Sequence, residues 1–121
     1  MPDRYTRPYP EQLAHLRMLE DDWDTHGAPA PTAAAIDRAQ AVLNVLPPTL
    51  RPSGICPAAE GGAALFFRPH NTYFDVAFLN DGTQEVAVIE GGVYHSEVIS
   101  ADPTTIVATL VAIAERLCGP Q

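Results

Sequence analysis

The chain has 121 residues, of which 46% are hydrophobic, and this length and composition are typical of one folded domain with one core. Acidic residues number 15 and basic residues 7, and the resulting net charge of −8 opposes binding to nucleic-acid phosphates and to anionic membranes. We therefore expect a single domain over residues 1–121, with no direct nucleic-acid contact, no membrane contact and a basic protein surface as the favoured partner.

Targeting and cysteine signals exclude further classes of protein. No hydrophobic signal segment follows Met1, and no apolar run approaches the ~20 residues that span a bilayer, so a cytoplasmic location is expected. The two cysteines, Cys56 and Cys118, have neither C-x-x-C nor zinc-site spacing. We expect both to be small buried side chains, while a disulfide between them stays open. No cofactor is implied.

The N-terminal segment is predicted to be an arm followed by a helix. Prolines in the first ten residues disfavour regular structure, so residues 1–9 are expected to be extended or frayed, with Tyr5 and Tyr9 as anchors. A helix is predicted to begin near Pro10, because an apolar stripe follows at helical spacing. The stripe consists of Leu13, Leu16, Leu19 and Trp23. Trp23 is then the last core residue of this helix; partly exposed, it would instead be a binding anchor.

A second helix is predicted after a loop. Residues 23–31 are rich in glycine and proline, and Thr32 offers a hydroxyl that can cap the helix N-terminus. The apolar face of this helix is Ile36, Ala39, Leu43 and Leu46. Pro47-Pro48 ends it. Two helices joined by a short loop suggest an antiparallel pair.

After Pro48 the pattern changes to strands separated by turns. The prolines near Leu50–Cys56 favour a short edge strand there. Further strands are predicted at Ala63–Arg68, Tyr73–Leu79, Thr83–Ile89 and Val93–Ile99. Because short turns join consecutive strands, we expect an antiparallel meander of four to five strands.

The hairpin around Asn80-Asp81-Gly82 permits two registers. A two-residue turn would place Glu85 on the core face. A three-residue loop with its glycine in the left-handed conformation instead pairs Val76 with Val86 and sends Asp75 and Glu85 to the outer face. The sequence therefore predicts the three-residue loop.

The last element is predicted to be a helix. Asp102-Pro103 is typical of a helix start, and Gly119-Pro120 is typical of a helix end. The apolar positions between them are Ile106, Leu110, Ile113 and Leu117. The order of elements predicts an α+β fold, with a helical hairpin, an antiparallel meander and a C-terminal helix packed on one sheet face.

The acidic segment after the first helix is the candidate binding site. Its residues are Glu20, Asp21, Asp22, Trp23, Asp24 and His26. Carboxylates near a helix C-terminus are disfavoured by the helix dipole, so a sequence that retains them is either using their charge or exposing them to solvent. Asp24 and His26 form a minimal acid–base pair, while the alternative is that Asp24 binds loop amides as an Asx-turn.

The other polar residues predict no catalytic or metal site. The four histidines, His15, His26, His70 and His95, are far apart in sequence, and a metal site would need two or three of them together. In His95-Ser96-Glu97, strand alternation sends Ser96 to the opposite face, so a polar strand face is expected rather than a triad. Each Gly-Gly pair precedes a strand, so neither forms a phosphate-binding loop at a helix N-terminus.

Three segments together resemble a pattern found in small uncharacterised bacterial proteins. They are Trp23-Asp24-x-x-Gly27-Ala28, then Pro57-x-x-x-Gly61-Gly62, and then the apolar strand with Leu65 and Phe67. The similarity covers residues 13–90, and the hairpin at residues 80–83 fits it. Members resemble accessory proteins of mobile elements. The resemblance implies that the loop at residues 23–27 is a family hallmark, structural or functional.

Three functions are consistent with these features. The first is a non-catalytic acidic interaction protein, of immunity, antitoxin or inhibitor type, that binds a basic partner. The second is a homo-oligomeric accessory protein that uses an edge strand or the outer sheet face. The third is a small enzyme or ligand-binding domain that uses the loop from Trp23 to His26.

Overall fold

The computed structural model describes residues 8–69 and 72–118, which form an antiparallel sheet with helices on one face. The helices are α1 (Tyr9–Arg17), α2 (Ala33–Val45) and α3 (Pro103–Cys118). The strands are β1 (Gly54–Pro57), β2 (Gly62–Phe67), β3 (Tyr73–Leu79), β4 (Gln84–Glu90) and β5 (Val93–Ile99). They pair in chain order, β1-β2-β3-β4-β5. The predicted α+β meander with a C-terminal helix is confirmed.

Both predicted helix caps form in the structure. The Thr32 hydroxyl accepts a hydrogen bond from the backbone N–H of Ala35 at 3.1 Å, at the start of α2. The Asp102 carboxylate accepts from the backbone N–H of Thr105 at 3.0 Å, at the start of α3. The predicted end signal at Gly119-Pro120 lies outside the described residues.

The first helix is shorter than its apolar stripe. α1 ends at Arg17, so Leu19 and Trp23 lie beyond it, and the prediction that Trp23 is its last core residue is wrong. Beyond the helix the chain turns back at Asp22, which adopts a left-handed φ of 68° and whose N–H donates to the carbonyl of Ala28 at 2.8 Å. Residues 18–32 therefore form a long self-closing loop rather than a short helix connection.

The predicted N-terminal arm lies outside the description over residues 1–7, including Tyr5. Tyr9, placed in the arm by sequence, is instead the first residue of α1. Its hydroxyl donates to the carbonyl of Pro52 at 2.7 Å, and the Arg51 guanidinium lies 5.1 Å from its ring centre. Tyr9 therefore ties α1 to the segment before β1.

The hairpin of β3 and β4 adopts the three-residue loop. Val76 pairs with Val86, Gly82 has a φ of 97°, and the N–H of Leu79 donates to the carbonyl of Thr83 at 2.9 Å. The predicted register is confirmed, and it sends Glu85 to the face opposite the core. We call that face of the sheet the outer face.

One hydrophobic core lies between the helices and the inner sheet face. Its fully buried side chains include Leu16 of α1, Ile36 of α2 and Leu110 of α3. Phe67 and Phe74 stack in its centre, with ring centres 4.7 Å apart. The edge strand predicted at Leu50–Cys56 forms at Gly54–Pro57, so Pro57 is tolerated within it.

Candidate functional site

The loop at residues 18–32 is held closed by its own aspartates. Three carboxylates accept hydrogen bonds from backbone N–H groups at the far end of the loop. The pairs, at 2.7–3.0 Å, are Asp21 with Ala30, Asp22 with Gly27, and Asp24 with both His26 and Ala28. Acceptance of these bonds lowers the pKa of Asp24, the bond from His26 being the largest cause. The carboxylates thus satisfy amides that a loop would otherwise leave unpaired.

The remaining candidate residues of the loop differ in burial and in their hydrogen-bond partners. Trp23 is half-buried, and its indole N–H donates to the carbonyl of Pro29 at 3.0 Å. Glu20 and His26 are exposed. The His26 ring nitrogen lies 2.9 Å from the backbone carbonyl of Asp24, and the carboxylate of Asp24 bonds to backbone amides as in the Asx-turn alternative. A binding role for this loop stays a prediction.

Replacement of Asp24 by alanine is expected to lower the melting temperature by a few degrees, on the order of the shift that one lost capping interaction produces. Because the pKa of Asp24 is lowered on folding, its contribution is present above the usual pKa of an aspartate and is lost as pH falls through the lowered value. Thermal unfolding at neutral and acidic pH measures both effects. Glu20→Gln is the control and should change little; an Asp24→Ala protein as stable as the wild type would contradict the assignment.

A second candidate site lies on the outer sheet face. It is a depression of about 230 Å³ whose floor is made of small side chains and whose sides are acidic and aromatic. The floor is Ala64, Ala77 and Ala87; the sides include Glu60, Asp75, Glu85, Tyr73 and Tyr94, with Cys56, Pro57, Ala58 and Ala59 lining the β1 end. We call it the outer-face pocket. Cross-strand pairing builds it, since Ala64 faces Ala77 and Ala77 faces Glu85.

The environment of this pocket disfavours the ionised form of the Asp75 carboxyl group. Burial raises the pKa of Asp75, the hydrogen bond from the Tyr73 hydroxyl at 2.6 Å partly opposes that rise, and the charges of Glu85 and Glu60 add to it. Burial is the main cause that raises the pKa of Tyr73, and its hydrogen bond to Asp75 raises that pKa further. Within residues 8–69 and 72–118, no arginine forms an ion pair with Asp75. Asp75 therefore lacks a cationic partner among these residues, while the Arg68 guanidinium lies at the border of the pocket, 5.9 Å from the Tyr73 ring centre.

The acidic groups of the pocket are not arranged as a metal site. In the described part of the chain, no group of three or more His, Cys, Asp and Glu side chains is placed to hold a metal. Carboxylates spread around a small apolar floor match a cation whose charge is delocalised over several donors, such as guanidinium.

A larger groove, about 730 Å³, runs between α3 and β5 on the helix side of the sheet. His95 pairs with Val88 and Glu97 pairs with Val86, so both belong to the face that forms this groove. Ser96 also borders the groove but pairs with Ala87 of the outer face. The alternation predicted for these three residues is thus observed.

The comparisons with known proteins identify no relative. Protein-family models, curated proteins and solved structures gave no match to the chain. The suggested resemblance to small bacterial proteins therefore stays a prediction. In the part of the chain that the structure describes, no helix combines the length and apolarity needed to cross a membrane.

The sequence pattern placed Asp75 and Glu85 on the outer face but did not indicate a pocket there. The missing partner is Glu60, which lies in the turn between β1 and β2 and reaches the site only through strand pairing. A signal for the pocket itself was present in the sequence: on each of β3 and β4, an acidic residue is followed two positions later, on the same face, by an alanine, Ala77 or Ala87.

Proposed function

We propose that this protein is a non-catalytic interaction protein, of immunity, antitoxin or inhibitor type, that acts in the cytoplasm. It binds a basic partner protein by seating an arginine side chain in the outer-face pocket. The observation that carries the proposal is Asp75, a partly buried carboxylate beside Glu60 and Glu85 whose pKa is raised. A guest cation would supply the positively charged partner that Asp75 lacks among the described residues.

Arginine fits this pocket for reasons of shape and hydration. Its guanidinium is planar, is only weakly hydrated and presents several N–H donors that carboxylates can accept in pairs. The Tyr94 ring borders the site, and aromatic rings attract such a cation over their faces. The Tyr73 ring, on the other side, already has the Arg68 guanidinium 5.9 Å from its centre. The alanines leave space between the carboxylates for the side chain to enter.

The net charge of −8 supports the same choice of partner. Long-range attraction would steer a basic surface toward the protein and raise its association rate, while the pocket would fix where the partner docks. Arg17 and Arg116 each form an exposed ion pair with one carboxylate, so these two pairs add little to the long-range electrostatic attraction.

Titration with N-acetyl-arginine amide, followed by methyl NMR, tests the proposal. We expect the methyl signals of Ala64, Ala77 and Ala87 to shift, because these residues form the pocket floor. The citrulline analogue is the matched ligand control, since it keeps the shape and lacks the charge. Equal shifts with both ligands, or shifts absent from these alanines, would refute arginine binding in the pocket.

A pair of variants separates the pocket from general electrostatic attraction. Glu85→Gln removes one charge at the pocket, and Glu115→Gln removes one charge from the exposed surface of α3. We expect Glu85→Gln to weaken binding about tenfold and Glu115→Gln to change it little, since only the first removes a partly desolvated partner. Similar losses in both variants would show that net charge, not the pocket, binds the ligand.

A further inference from the structure

The two edges of the sheet are treated differently by the chain. At β1, the N–H of Ala58 donates to the carbonyl of Gly62, so alternation along the ladder turns the backbone of Ile55 and Pro57 away from β2. The outward N–H of Ile55 donates to the buried Gln12 side chain of α1 at 2.9 Å, and Pro57 has no N–H. The β1 edge is therefore blocked against further strands.

The β5 edge has no such protection among the described residues. The hydrogen bond from the N–H of Leu79 to the carbonyl of Thr83 sets the alternation in β4, where every second residue from Glu85 onward bonds to β3. The residues between them bond to β5, where their partners include Glu97 and His95. The outward backbone groups of β5 are consequently those of Tyr94, Ser96 and Val98. β5 has no proline or lysine, and six of its seven residues are exposed.

The side chains of β5 are complementary to those of an inverted copy of the same strand. Antiparallel pairing about Ser96 places Tyr94 opposite Val98 of the second copy, an aromatic residue against a β-branched one. It places His95 opposite Glu97 of the second copy, and an imidazole carries an N–H donor in either protonation state. Tyr94 and Val98, 61% and 67% exposed here, would each gain an apolar neighbour.

We propose that two copies of this chain pair through β5, antiparallel and centred on Ser96, to join their sheets into one. This homodimer does not depend on the proposed arginine pocket. Twofold symmetry makes every contact occur twice, as is usual for self-complementary interfaces. The Ser96 backbone groups of the two copies bond to each other, because Ser96 is an outward-facing residue at the centre of the strand.

Neighbouring registers are less favourable for identifiable reasons. Outward residues must face outward residues, and the nearest alternative registers that satisfy this are centred on His95 or Glu97. A centre at Glu97 places two carboxylates side by side, which is destabilising. A register centred on His95 places the His95 imidazoles of the two copies opposite each other and leaves Glu97 opposite Val93. Only the Ser96 register pairs all seven residues of β5.

Sedimentation velocity over a wide concentration range tests the dimer. The wild-type chain should reach twice the monomer mass. Ser96→Pro should weaken the dimer about tenfold or more, since it removes both central N–H groups but no bond to β4. Ser96→Ala is the control and should dimerise normally, and circular dichroism checks that each variant is folded. A monomeric wild type, or a folded Ser96→Pro protein that dimerises normally, would overturn the proposal.

Cysteine cross-linking tests the register. In a background with Cys56→Ala and Cys118→Ala, Ser96→Cys should give a covalent dimer on oxidation, because Cα atoms in such a pair lie about 5.5 Å apart. His95→Cys is the matched control and should cross-link slowly, because its partner position is occupied by Glu97. Faster cross-linking at residue 95 than at residue 96 would overturn the Ser96 register.

Discussion

Replacement of Gly62 by alanine is expected to lower the free energy of unfolding by about 3 kcal/mol or more, through combined steric overlap and backbone strain. A Cβ at this position would lie 2.2 Å from the backbone oxygen of Phe78 and 2.9 Å from the Cα of Leu79. Gly62 also has a φ of 144°. Both neighbouring atoms belong to the backbone of β3, so relief of the overlap requires the β2–β3 ladder to separate locally.

Gly82→Ala is the matched control for this substitution. Gly82 has a φ of 97°, but a Cβ there would meet nothing within 4 Å. We expect it to reduce the free energy of unfolding by about 1 kcal/mol, from backbone strain without overlap. Urea denaturation of both variants measures the difference. Equal destabilisation would contradict the close approach between Gly62 and β3.

Gly62 also shows where sequence-based prediction reaches its limit. The Gly61-Gly62 pair predicts a turn before a strand at Ala63, whereas the structure places Gly62 inside β2, paired with Leu79. A turn signal is local and is visible in the sequence. The close approach of another strand is not local, so nothing in the neighbouring residues indicates it.

Local signals predicted much of the remaining fold. The caps at Thr32 and Asp102 depend on residues three positions away, and the hairpin register depends on keeping Glu85 off the core face. Each of these choices involves neighbours in sequence and a strong energetic preference. For that reason the order of helices and strands follows from the sequence alone.

The end of α1 could not be derived in this way. Its apolar period continues to Trp23, but the chain leaves the helix after Arg17 because Asp21, Asp22 and Asp24 bind backbone amides of the following loop. Aspartate competes with helix formation by making such bonds. Hydrophobic spacing alone therefore overestimates the length of this helix.

Asp75→Asn is expected to make the free protein more stable at neutral pH, because asparagine is uncharged and still accepts the bond from the Tyr73 hydroxyl. The pKa of Asp75 is raised, so its stabilising contribution is fully present below the usual pKa of an aspartate. That contribution is lost as pH rises through the raised value. Urea denaturation between acidic and neutral pH should show a smaller decline for the variant than for the wild type.

The same substitution should weaken binding of an arginine-bearing ligand about tenfold or more, since it removes a charge-assisted hydrogen-bond acceptor from a partly desolvated site. Opposite effects on stability and on binding are the signature of a charge retained for recognition. Glu115→Gln, which changes net charge equally at an exposed position, should alter neither property appreciably. If Asp75→Asn gained stability and bound the ligand as tightly as the wild type, the carboxylate would have no part in recognition.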